Sequence, residues 1–365
     1  MESIISVEAG KHFARREYFI DLVKGFLIIN VLIGHAIGGW NYLTWDYMAA
    51  PWSFNFNQWV FSRALINFTV PVFLFLAGFL TTGNKYGFGT KIPVGRCRRF
   101  LTRFVVWSLI YSLIEVVVYH RKITVLSVVL GTNGIQLYYL LVMLQLTILT
   151  PLFFRAKNKK ALLIATIAIN IANNIIHVIY YYKVHSEMPN DMILCTCFIC
   201  YYTLGVYLRN VNPDLFSHIS VRQAVTVYIV SLQVYLIMMY TMLRVTNSPL
   251  CATSFITVAS ITYALASAIL IMRVWWRVKD VDFEKNPVTR YICWVGENSL
   301  DFFLVHWIFE YYIKVWFMNH VPTKYMVLSN IAIVGATLLL SSIYSFIACK
   351  VKDVVKAVKE KRATS

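Results

Sequence analysis

Charge is what this chain is shortest of. Asp, Glu, Lys and Arg make up 14% of its 365 residues, and 59% are hydrophobic, whereas soluble domains carry about 25% charged and about 45–50% apolar residues. Apolar stretches of about 20 residues recur, each long enough to cross a bilayer core as a helix. The alternating segments of about 10 residues that mark an outer-membrane barrel are missing. So are the glycine spacing of a phosphate loop and any clear internal repeat. The first apolar segment holds charged residues and lacks a small-residue cleavage site, so no cleavable signal peptide is expected. The expected fold is an all-α polytopic membrane protein, a bundle of about ten transmembrane helices.

Cysteine is sparse and scattered. The seven cysteines lie mostly within apolar segments and imply no disulfide framework. Cys195, Cys197 and Cys200 cluster in one apolar run, but a metal would want a fourth ligand and a second shell of partners, and neither is nearby. They read as small packing residues, and no metal is expected.

What the chain has in excess is positive charge, a net +17. A nucleic-acid binder would gather it on one soluble face; here it sits in the connections between apolar segments. Ten spans are expected at 18–38, 59–82, 102–119, 135–154, 161–182, 191–208, 220–243, 251–272, 291–313 and 325–349. With the N-terminus inside, the inner segments hold 26 Lys and Arg and the outer segments 6, and Lys24 and Arg63 within spans complete the 34. That asymmetry predicts both termini in the cytoplasm. Residues 1–17 then form a cytoplasmic N-terminal segment and 18–349 the membrane domain. Residues 350–365 form a basic cytoplasmic tail, read as an amphipathic helix on the inner membrane surface.

Ionisable groups within a span cost about 2.5–3.5 kcal/mol each on insertion scales and usually face a protein interior or a water-filled cavity. The first span carries three: Asp21, Lys24 and His35. At about 100° per residue, positions 21, 24, 28, 31 and 35 share one stripe, with Lys24 and His35 about 16 Å apart by helix rise. Arg63 is expected at about the depth of His35, and Glu115 stands in the third span without a sequence-local partner. His306 and Glu310, four apart, share a face on which the carboxylate can orient the imidazole, or the histidine can be structural. Pro71 is expected to kink the second span. The first outer loop, 39–58, has no Lys or Arg but many aromatics, among them Trp40, Trp45 and Trp52. It reads as an interfacial belt or as a platform for sugar rings. The most basic inner loop ends in Arg96, Arg98, Arg99 and Arg103; these suit a phosphorylated ligand or anionic lipid.

Together these residues resemble acyltransferase family 3. The opening Asp21-x-x-Lys24-Gly25, with a histidine eleven residues after the lysine, resembles that family's first-span motif. Phe73-x-Phe75-x-x-Gly78-Phe79-Leu80 is similar to its second-span signature, with Ala77 where serine is common. Gly296-x-Asn-Ser299-Leu-x-x-Phe303-x-x-His306 also matches, with Phe303 replacing the usual tyrosine. The run from Leu137 through Gln145 to Pro151 resembles the surface-polysaccharide branch that includes intercellular-adhesin-type acyltransferases. The resemblance implies transfer of an acyl group, usually acetyl from acetyl-coenzyme A, to hydroxyls of extracytoplasmic glycans, with the lipid bilayer, acyl-coenzyme A, the glycan and polysaccharide synthesis machinery as partners. It implies His35 as the catalytic histidine, Lys24 as its basic companion beside Asp21, and Arg96, Arg98 and Arg99 as donor-binding residues. Arg63, Glu115, Ser299, His306 and Glu310 are candidate site-lining residues. No bound cofactor and no nucleic acid are implied; acyl-coenzyme A is a substrate. The competing readings are a glycan or proton-coupled transporter, with Asp21, Glu115, Asp301 and Glu310 as a proton relay, and an assembly partner of a polysaccharide synthase.

Overall fold

The structure is a computed structural model that describes residues 18–44, 54–81, 92–118, 120–185, 191–246, 248–252, 256–278, 281–322 and 325–364, together with 188 and 254. The described residues form an all-helical protein. In chain order the α-helices are α1 (Tyr18–Thr44), α2 (Phe54–Ile66), α3 (Thr69–Phe79), α4 (Val94–Val117), α5 (Val125–Leu130), α6 (Tyr138–Arg155), α7 (Lys159–Val184) and α8 (Ile199–Asn210). They continue as α9 (Val221–Thr246), α10 (Pro249–Ala252), α11 (Val258–Val278), α12 (Pro287–Glu297), α13 (Ser299–His320) and α14 (Met326–Thr364). Among the described residues, 8 segments are long and apolar enough to cross a membrane.

Two of the ten expected segments fall outside those 8. Around 191–208, two 3₁₀ turns at Asp191–Ile193 and Cys195–Cys197 precede the 12-residue α8, so no long uninterrupted helix forms there. The expected single span at 291–313 is two helices, α12 and α13, meeting at Asn298. Asn298 is bound at this break to α12 and α14: its Nδ2 donates to the Trp294 carbonyl (3.0 Å), and its Oδ1 accepts from Cys349 Sγ (3.2 Å). α13 carries Asp301, Glu310 and Lys314 along its length, more charge than a lipid-facing helix holds.

The second expected span is also broken, but not by its proline. α2 ends at Ile66 and α3 begins at Thr69, so Pro71 lies in the first turn of α3, where its missing N–H costs nothing. The break falls at Asn67 and Phe68. Asn67 is buried, and its side-chain amide donates to the Tyr235 hydroxyl at 2.7 Å; that hydroxyl in turn donates to the Ser254 carbonyl at 3.1 Å. The lysine-rich stretch from Lys350 is not a separate helix; it continues α14 to Thr364.

The chain divides into two compact units. Residues 1–36 and 271–365 form one. In it α12 runs antiparallel to the start of α1, because Gly25 faces Ile292 and Gly296 faces Asp21 so closely that a Cβ on either glycine would collide with the opposing backbone carbonyl. Small residues at such a crossing let two membrane helices approach to backbone contact. Tyr291–Ser342 (2.8 Å) and Lys352–Asp301 (2.7 Å) tie α14 to α12 and α13. Asp301 lies in the first turn of α13, where the helix dipole favours a carboxylate.

Residues 37–270 form the other unit. Its tightest crossing is α3 on α8, where Gly78 meets the Tyr202 carbonyl and Gly205 meets the Phe75 carbonyl. The core of this unit includes Phe75, Phe79, Leu140, Tyr201, Tyr202, Tyr235 and Tyr263. Cys195, Cys197 and Cys200 are buried there, and Cys197 Sγ accepts from the Asn173 amide at 3.0 Å.

Candidate functional site

α1 presents its polar stripe as expected, with Ile28 and Val31 buried between the charged ends. Lys24 Nζ lies 2.8 Å from Asp21 Oδ1, and both side chains are largely covered. The neighbouring Gly25 and Gly296 hold this part of α1 against α12.

About three turns further on, the half-buried His35 enters a group of side chains supplied by α13. Its ring stacks on His306, with centroids 5.4 Å apart and planes at 30°. The edge of Trp307 closes on it at 5.0 Å and 73°. Two rings at these distances hold an imidazole by dispersion and quadrupole contacts. His306 is fully buried, and its Nδ1 lies 3.2 Å from the Phe302 carbonyl. A carbonyl accepts only, so Nδ1 carries the proton and Nε2 is the acceptor. That Nε2 makes no hydrogen bond among the described residues.

One and two turns beyond His306 come Glu310 and Lys314, both buried. The i, i+4, i+8 spacing keeps His306, Glu310 and Lys314 along one side of α13. Neither carboxylate oxygen of Glu310 makes a hydrogen bond among the described residues. Lys314 Nζ lies 3.4 Å from the His35 backbone carbonyl and 5.5 Å above the Trp307 ring. Burying ionisable side chains is costly to a fold, so these two call for an account beyond packing.

The arginines lie in the other unit. Arg96 Nη1 donates to Thr81 Oγ1 at 3.1 Å. Thr81 also meets the Tyr202 hydroxyl at 3.2 Å, which in turn meets Thr150 Oγ1 at 2.9 Å. Thr81, Tyr202 and Thr150 are fully buried, so Arg96 stands on a fixed polar pillar. Asn210 Nδ2 reaches the Thr81 carbonyl at 3.2 Å, and the Arg209 guanidinium covers the Phe79 ring at 4.9 Å. Arg98 and Arg99 are exposed.

Of the other sequence candidates, Glu115 has a partner that its neighbours in sequence did not reveal: Arg121 Nη1, at 3.1 Å. Arg63 is half-buried on α2, and Ser299 opens α13. The outer loop's Trp45 and Trp52 lie outside the described residues, as do Lys85 and Lys91 of the basic inner loop. Sequence reasoning missed Trp307, Lys314, Thr81 and Tyr202. For Lys314 the signal was there, since it continues the four-residue spacing of His306 and Glu310.

Long apolar helices with a buried cluster of titratable groups define a multi-pass membrane protein with a polar interior site. A family model, the acyltransferase domain of acyltransferase family 3, matches residues 17–348. The chain belongs to that family and is a membrane acyltransferase. No curated protein and no solved structure matches it.

Proposed function

We propose that this chain moves an acyl group, acetyl in the simplest case, from coenzyme A on the cytoplasmic side to a hydroxyl of an extracytoplasmic glycan. The reading includes ten membrane passages with both termini inside, in the cell membrane, and a place in the surface-polysaccharide branch of the family. The observation that carries it is the setting of His35: an imidazole held between two aromatic rings, beside buried polar groups, in a chain of this family.

A hydroxyl is a poor nucleophile near neutral pH. His35 removes its proton as the oxygen attacks the thioester carbonyl, help worth about 10²–10⁴-fold. When the tetrahedral intermediate collapses, the carbon–sulfur bond breaks and the proton passes from the imidazolium to the departing thiolate. Products are the glycan ester and free coenzyme A. Arg96, anchored by Thr81, and the exposed Arg98 and Arg99 suit the donor's phosphates, which guanidinium groups bind bidentately. The Lys24–Asp21 pair holds charge at the inner end of α1.

The transporter reading needs carboxylates that are available to pass protons. Asp21, Glu115 and Asp301 are each in an ion pair, which leaves that relay with Glu310 alone. Mass spectrometry of surface glycans from cells with and without the chain tests the proposal: the account expects an acyl mass lost with the chain. Unchanged glycans, together with solute flux in vesicles and no release of coenzyme A, would favour transport.

A further inference from the structure

Among its described side chains α14 buries a single stripe, Ser329, Ile333, Thr337, Ser341 and Ser345, spaced four residues apart. The helix packs along α13, and this stripe is the part of it that is covered. Thr337, Ser341 and Ser345 are fully buried, and none of their hydroxyls makes a hydrogen bond among the described residues. That sets them apart within this chain. A hydroxyl in a membrane helix has a ready partner in the carbonyl four residues back. Thr147, Thr203, Ser267 and the neighbouring Ser342 all use it. Three successive turns of α14 forgo that bond.

Across the seam α13 offers the complement. His306 Nε2 and both Glu310 oxygens are buried acceptors that make no hydrogen bond among the described residues. The short connection between α13 and α14 makes the two helices antiparallel neighbours. Two cross-links set their register, Asn298 to Cys349 and Asp301 to Lys352. Since each step forward on α13 is a step back on α14, these links place His306 level with a position between 341 and 347. By the same count Glu310 lies level with a position between 337 and 343. Ser341 and Ser345 are therefore the buried hydroxyls at the height of His306, and Thr337 and Ser341 those at the height of Glu310.

Hydroxyl donors and bare acceptors buried at one height, yet not bonded to each other, are the setting that internal water satisfies. One such molecule makes about three hydrogen bonds to buried groups that otherwise have none. We propose that the α13–α14 seam binds water that joins Ser341 and Ser345 to His306 and Glu310. Through it the two serines are positioning residues for His306. The water accepts from a serine hydroxyl and donates to His306 Nε2 or to a Glu310 oxygen. That direction suits the tautomer of His306, whose Nδ1 proton is already given to the Phe302 carbonyl. His306 is then held at both nitrogens, and the ring on which His35 stacks keeps one orientation. The kinetic consequence rests on the acyltransferase reading; the water site rests on burial and register alone.

The test uses the full chain in proteoliposomes, labelled at its histidine nitrogens. In water-edited solid-state NMR, magnetisation begins on water and reaches the side chains that water touches. His306 has no exposed surface, so its signal, assigned by its loss in His306→Phe, reports water inside the protein. The signal is expected in the wild-type chain, and the double variant Ser341→Ala/Ser345→Ala should lose most of it. Labelled acetyl transfer from coenzyme A to surface glycan, purified from cells lacking the chain, gives the second readout. In the double variant kcat should fall about 10-fold, short of the about 10²-fold that a misplacement of about 1 Å can cost, with the donor KM within about threefold of wild type. Ser342→Ala is the control: its hydroxyl bonds the Leu338 carbonyl, and losing it should change neither readout. No water signal at His306, or one that the double variant leaves intact, would overturn the water site. Wild-type kcat in the double variant, or an equal fall in Ser342→Ala, would overturn the positioning role. If the double variant does not insert, Ser345→Ala alone is read by the same criteria. A wild-type chain that transfers no label would bring down the acyltransferase reading and the positioning role with it, while the NMR signal still decides the water site.

Discussion

The imidazoles of His35 and His306 stack with centroids 5.4 Å apart, although 271 positions of sequence separate them (306 − 35). His306 is anchored to its own helix through the Phe302 carbonyl and is fully buried, so it is the fixed member of the pair and His35 is the ring being held. His306→Ala should remove the ring on which His35 stacks and loosen its placement. Since a misplacement of about 1 Å can cost about 10²-fold, transfer should fall by that order. His306→Phe, which keeps a ring to stack on, should recover much of the rate. Single-turnover transfer by the two variants makes the comparison; equal losses would show that the nitrogen matters rather than the shelf.

The glycines at the α1–α12 crossing give a stability prediction. A Cβ at Gly25 or Gly296 would collide with the backbone of Ile292 or Asp21, and neither carbonyl can move without its helix. Gly25→Ala and Gly296→Ala should each destabilise the protein by about 1–3 kcal/mol, the usual cost of overpacking. At Gly335 nothing lies within 4 Å of an added Cβ, so Gly335→Ala should be neutral or stabilising through helix propensity. Thermal unfolding in one detergent reads all three.

The pillar under Arg96 can be tested apart from the transfer chemistry. Tyr202→Phe removes the hydroxyl shared by Thr81 and Thr150, and should cost about 1–3 kcal/mol as buried polar atoms lose a partner. Thr81→Val takes away the oxygen that Arg96 binds. If Arg96 holds donor phosphate, Thr81→Val should raise the donor KM several-fold while kcat stays near wild type. A loss in kcat alone would detach Arg96 from donor binding.

The membrane class and the α1 stripe were legible because charge in an apolar run is costly and therefore conspicuous: Asp21, Lys24 and His35 stand out against their neighbours. The glycine signatures were legible as motifs but not as contacts, since nothing local says that Gly25 meets Ile292 or Gly78 meets Tyr202. The break between α2 and α3 was misread because Pro71 is the visible helix breaker, while the residue bound at the break is Asn67, satisfied by Tyr235 some 168 positions away. The partner of Glu115 was hidden because Arg121 lies beyond the helix end, where backbone geometry rather than periodicity sets the approach. Lys314 was overlooked because the expected span 291–313 stops one residue short of it.

The most direct measurement of the central claim is the initial rate of labelled acyl transfer by His35→Ala, in proteoliposomes where the variant is shown to insert and remain monodisperse. The account predicts a fall of about 10²–10⁴-fold, the range expected for losing a general base, with donor binding retained. Transfer at the wild-type rate by the inserted His35→Ala chain would contradict it.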